Sequence, residues 1–135
     1  MNLQDIALRI GETKSVNGFA LECQPLPGEI ELLQVTVEGF DEMPIYISQT
    51  ETQLLCISYL WVEDEIKPEL KAEMLEAMLD MNIPMPLSSF SRIGDRYVVF
   101  GALSINSSFD DIAEEVVILA ENSLDALEAL GEYLK

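Results

Sequence analysis

The sequence predicts an α+β domain in which an antiparallel sheet, made of a meander and a hairpin, packs with about three helices. Three observations carry that expectation. Residues 31–38 alternate apolar and polar side chains with the period of two of a half-buried strand. Gly94-Asp95 separates two strand-like runs by the two residues of a tight hairpin. The segments after Pro68 and after Ser107-Ser108 repeat apolar residues at spacings of three and four, with helix start signals in front of them.

Along the chain, Asn2 with Asp5 three residues later reads as a helix cap. Leu3, Ile6 and Ile10 follow on one face, and Gly11 offers a left-handed stop. Residues 18–28 carry mixed signals: Phe19, Leu21 and Cys23 alternate like a strand, while Pro25 and Pro27 confine the segment to an irregular path or a sheet edge. The meander then consists of residues 31–38, 45–50 and 53–62. In the last of these, Leu54, Cys56, Ser58 and Leu60 share one face, and Leu55, Ile57, Tyr59 and Trp61 the other.

A helix is expected from Pro68 to about Met81, where Asn82 can terminate it and Pro84 forbids continuation. Leu70, Met74, Ala77, Met78 and Met81 lie along one side, with Glu69, Glu73, Glu76 and Asp80 on the other. The run 97–103 is apolar on both faces and reads as a central strand, in which Gly101 permits close approach of another segment. A final helix opens at Ser107-Ser108. Its apolar side is Ile112, Val116, Leu119, Leu127, Leu130 and Leu134, and Asn122-Ser123 is the place where it could break or kink. Asp111, Glu114, Glu115, Glu121, Asp125, Glu128 and Glu132 are assigned to an acidic outer side. Leu33, Val35, Leu55, Ile57, Val98, Phe100, Met74 and Leu127 are the expected core residues.

The 135 residues fit one domain, 1–135, with no internal repeat or linker. With 25 acidic against 7 basic residues, the net charge is −18, which repels nucleic acid and anionic membranes. No histidine is present, so the commonest general base and the usual catalytic triads are missing. No segment approaches the roughly 20 apolar residues that span a bilayer. The N-terminus has no basic start leading into an apolar run, so a cytoplasmic location is expected. Cys23 and Cys56 make no Cys-x-x-Cys, and both read as free, structural thiols.

Candidate sites are few. Glu63-Asp64-Glu65 and Asp110-Asp111 with Glu114-Glu115 match the acidic first turns that the helix dipole favours; neither has the spacing of a calcium hand. Arg92 and Arg96 flank the Gly94-Asp95 turn and suit surface pairing with nearby acids. Met74, Met78, Met81 and Met85 form an adaptable apolar stripe that serves either the core or a partner groove. They are the partner-binding candidates. No catalytic, metal or cofactor residue is assigned. The expected function is a non-enzymatic acidic adaptor or chaperone-like module that binds protein; the alternative is a carboxylate-dependent enzyme or divalent-cation-binding protein.

The order helix, meander, helix, hairpin, helix on a small acidic chain resembles the class I type III secretion chaperones and the YbjN-like folds. The passages Asn82-Ile83-Pro84-Met85-Pro86-Leu87-Ser88-Ser89-Phe90, Tyr97 to Ser104 and the acidic end from Asp110 to Leu130 resemble the YjfI-like family of bacterial proteins. The first resemblance implies a homodimer with apolar surface offered to a partner, for which the Met-rich helix and the hairpin would form the shoulder. The second implies genes beside members of the phage-shock-protein A family of membrane-remodelling coiled coils. Such a coiled coil is therefore the implied partner.

Overall fold

The computed structural model describes residues 1–135. Three helices and six strands alternate as α1 (Leu3–Glu12), β1 (Leu21–Leu26), β2 (Leu32–Val37), β3 (Ile45–Gln49), β4 (Gln53–Val62), α2 (Lys71–Asn82), β5 (Ser89–Ile93), β6 (Arg96–Ser104) and α3 (Phe109–Leu130). All strand pairs are antiparallel, in the order β1-β2-β3-β4-β6-β5. The expected α+β architecture holds, and residues 18–28 resolve into the edge strand β1. Pro25 is tolerated there because an edge strand has one side without a hydrogen-bonding neighbour.

Local signals fix the helix starts. Asn2 Oδ1 accepts from Asp5 N at 2.8 Å, and Asp5 returns the bond to the Asn2 amide. Ser108 Oγ accepts from Asp111 N at 3.2 Å and caps α3, an interaction worth about 1 kcal/mol. The stops differ from expectation. Gly11 lies within α1, which runs on to Glu12, and Asn82 closes α2 with helical rather than left-handed backbone after it. The positive-φ non-glycine residues are Asn17 and Leu87 instead. α3 passes through Asn122-Ser123 unbroken. The Ser123 hydroxyl bonds back to Leu119 O at 2.7 Å, which satisfies it inside the helix.

All three helices cover one face of the sheet. Cys23 Sγ lies 3.8 Å from Ala7 O of α1, Glu115 of α3 sits on Gly101, and Met74 and Met78 of α2 join the core that includes Trp61, Tyr97 and Phe90. The inward residues of β4 are consequently Leu54, Cys56 and Ser58. Of the expected core, Leu33, Val35, Val98 and Met74 are buried, whereas Leu55, Ile57, Phe100 and Leu127 keep partial exposure. The first three of those half-buried side chains stand on the face that no helix covers.

A bulge separates Trp61 from the face it was expected to share with Leu55, Ile57 and Tyr59. Tyr59 pairs with Val98 and Trp61 with the next residue, Tyr97, so Leu60 is extra. The insertion turns Trp61 inward, where its ring stacks on Tyr97 at 6.2 Å.

Glu115 also departs from expectation. It is 4% exposed, while Asp111, Glu114, Glu121, Asp125, Glu128 and Glu132 face solvent as expected. The reason is that α3 is buried around most of its circumference, so the position that follows Glu114 in sequence turns toward the sheet.

Candidate functional site

The methionine stripe and the surface next to it are different faces of α2. Met74 and Met78 are buried, and Met81 and Met85 are half-buried against the core. Shifted by one residue around the helix, Leu75 is half-buried, Leu79 is 69% exposed and Ile83 is 91% exposed. The core role of Met74 and Met78 therefore leaves an apolar shoulder made by Leu75, Leu79 and Ile83. Of the two stripes, only the methionines are singled out from the sequence; Leu75, Leu79 and Ile83 stand at i, i+4 and i+8 and share a face by the same helical periodicity, which was the signal that could have found them.

The loop after α2 carries another exposed leucine. Leu87 is 57% exposed and holds φ at +62°, a left-handed backbone that disfavours a side chain larger than glycine's. Two asparagines hold the loop in place. Asn122 Nδ2 donates to Pro86 O at 2.8 Å and to Ser88 Oγ at 3.0 Å, and Asn82 Oδ1 accepts from Phe90 N at 2.7 Å. The buried Asn122 side chain thus fastens residues 86–88 to α3. This exposed leucine is held in a disfavoured conformation by hydrogen bonds from a buried asparagine to the residues on either side of it.

Between the shoulder and the edge strand β5 runs a shallow groove of about 340 Å³, bordered by Leu75, Met78, Leu79, Phe90, Arg92 and Tyr97. Its far end carries the ion pair of Lys71 with Glu63 at 2.7 Å, onto which the Tyr97 hydroxyl also donates at 3.3 Å. The hydrogen bond from Lys71 holds the Glu63 carboxyl below the usual carboxylate range. Glu73, Glu76 and Asp80 stand exposed along α2, so the apolar strip has acidic flanks.

The other sequence candidates do not assemble. No three His, Cys, Asp or Glu side chains gather as a metal-holding group. Glu65 is used locally, accepting from Val62 N at 3.0 Å. Arg96 stacks over the Tyr59 ring at 5.2 Å instead of pairing with an acid, and Arg92 borders the groove. The remaining titratable feature is internal: burial pushes the Glu115 carboxyl up to about 7, and burial together with that carboxylate pushes the Cys56 thiol up to about 12.

Comparison with known proteins agrees with this architecture. The model of the DUF2170 family, described as an uncharacterized protein conserved in bacteria, matches residues 1–134. The YjfI protein of Escherichia coli strain K12 is 31% identical over 106 residues, covering 75% of this chain and 77% of YjfI. YjfI of Escherichia coli O157:H7 matches to the same extent. Among solved structures, YbjN from E. coli, described as a candidate transcription regulator, superimposes with a TM-score of 0.67 at 14% identity, over 98% of this chain and 91% of YbjN. At that identity the likeness is one of fold.

Proposed function

Because the chain belongs to the DUF2170 family, together with the YjfI proteins, we propose that it is a non-enzymatic adaptor that binds a partner protein through the α2 shoulder. The observation that carries this reading is the pair of large aliphatic side chains Leu79 and Ile83, exposed one turn apart at the end of α2 beside the groove that Leu79 borders. Large aliphatic side chains exposed side by side on a chain of net charge −18 gain free energy by leaving water, and the acids along α2 select what covers them. The matching ligand is an amphipathic helix with basic residues beside its apolar face. A phage-shock-protein A-like coiled coil is the first candidate, supported by the gene neighbourhood that the YjfI-like resemblance implies.

The absence of histidine and of any converging ligand group supports an adaptor over the carboxylate-dependent enzyme or cation-binding alternative. A cytoplasmic site of action fits a partner that works at the inner membrane surface. No helix of the protein is long and apolar enough to cross a membrane itself.

The test is a titration of the wild type, Ile83→Asp and Leu79→Asp against the co-expressed coiled coil. Both positions point into solvent, so the variants should keep the wild-type circular dichroism. Binding should weaken at least about tenfold in each, and added salt should slow association of the wild type. No binding by the wild type would remove the partner; equal binding by the folded variants would remove the surface.

A further inference from the structure

The second face of the sheet has no helix on it, and its composition differs from the rest of the surface. Pairing places Tyr46 beside Ile57, Leu55 beside Ala102, Ile57 beside Phe100 and Tyr59 beside Val98, all on the side opposite Gly101 and Cys56. Tyr46, Leu55, Ile57 and Phe100 are half-buried, and Tyr59 is exposed, with its ring edge-on to Tyr46 at 5.7 Å. Around this apolar centre stand the uncharged polar residues Gln34 and Thr36 on β2, Ser48 on β3 and Ser89 and Ser91 on β5, with the apolar Leu26, Leu32 and Ile93 on the outer strands. Among the outward strand residues, the single acid is Glu22 on the edge strand β1, and the single base is Arg96, folded over Tyr59.

For a chain with 25 acids, a nearly acid-free face of this extent is a strong asymmetry. We propose that this open sheet face is the contact between two copies of the chain in a twofold symmetric dimer. Charge selects the occupant. The face carries too little net charge to attract a strongly basic or acidic partner, whereas an identical face brings apolar centre to apolar centre and neutral rim to neutral rim. Two sheets of the same twist pack face to face at about 10 Å, with strands roughly aligned. The helices and their carboxylates then lie outermost in both copies, separated by two sheets and the interface, well beyond the screening length of about 8 Å.

Size agrees as well. Six strands at about 4.8 Å spacing and five to ten residues long present a face of about 500–900 Å². A stable interface needs about 800 Å² from each partner. The proposal is independent of the α2 shoulder, which lies on the helical side and stays open in such a dimer. It places the contact away from the Met-rich helix and its hairpin shoulder.

Sedimentation velocity across low to high micromolar concentration tests it, with wild type, Tyr59→Asp, Ile57→Asp and Ile83→Asp side by side. The wild type should sediment at twice 15.1 kDa. Raising the salt from about 0.01 M, where the screening length of about 30 Å still spans the two acidic bodies, to physiological strength should tighten the dimer, the opposite of its effect on a basic partner at the shoulder. Tyr59→Asp and Ile57→Asp should raise the dissociation constant at least about tenfold at unchanged circular dichroism, while Ile83→Asp leaves it unaltered. Should either aspartate variant unfold, the double truncation Tyr46→Ser/Tyr59→Ser replaces it, with the same expected loss. A wild-type mass of 15.1 kDa throughout, a dimer indifferent to the face variants, or a dimer broken by Ile83→Asp would each overturn the assignment.

Discussion

The Glu115 carboxylate rests directly on the α-carbon of Gly101. A Cβ at residue 101 would overlap Glu115 Oε1 and lie 2.7 Å from its Cδ and 3.2 Å from the Leu87 carbonyl oxygen. Gly101 stands in a central strand that is otherwise rich in large apolar residues, and its missing side chain makes the room in which an acidic side chain of α3 is buried. Glu115 Oε1 has no hydrogen-bond partner there. The same contact joins three parts of the molecule: the sheet, the long helix and the loop that carries Leu87.

Gly101→Ala should therefore destabilise the fold by about 2–3 kcal/mol through overpacking. Adding Glu115→Ala should recover much of that loss, because the methyl group then occupies the space the carboxylate leaves. Urea denaturation of the two single variants and the double variant gives the coupling free energy. Strict additivity would mean that the two residues do not share this space.

Glu115 makes stability depend on pH in a definite direction. Burial raises its carboxyl from an ordinary 4.5 to about 7, so the folded protein binds a proton that the unfolded chain has already lost. Its contribution is full below pH 4.5 and is lost as pH rises through about 7. Glu115→Gln, which stays neutral, should gain stability relative to wild type between pH 5 and pH 8 by on the order of 2 kcal/mol. Comparing the two proteins at each pH cancels the titration of the surface acids. A constant difference across that range would show that Glu115 titrates normally.

The two thiols should behave differently. Cys56 is fully buried, and burial together with the Glu115 charge pushes its thiol up to about 12. Cys23 is half-buried on the edge strand, where partial burial also raises its thiol. A maleimide at pH 8 should attach to Cys23 first, with Cys56 reacting only through unfolding and at least about a hundredfold more slowly. Mass spectrometry of the labelled peptides reads the order directly. Equal rates would place Cys56 in a solvent-accessible site.

The elements of this protein and their order follow from its sequence alone, except the edge strand β1, where Pro25 and Pro27 leave an irregular path open beside a strand. Alternation in residues 32–37, the Gly94-Asp95 hairpin and the cap at Asn2 depend on neighbours within a few residues, and such local chemistry is written in local sequence. The charge balance is likewise complete in the composition. Tertiary structure decided which face each element turns inward. β4 and β6 are apolar on both sides, so alternation cannot say which side the helices cover, and the Leu60 bulge reverses the choice at Trp61. On α2, Met74-Met78 and Leu75-Leu79-Ile83 are adjacent stripes about 100° apart, both apolar, and the angle at which the helix docks on Phe90 and Tyr97 buries the first and exposes the second. Glu115 belongs to the same class: nothing near it in sequence separates it from Glu114, and only the space above Gly101 makes it internal.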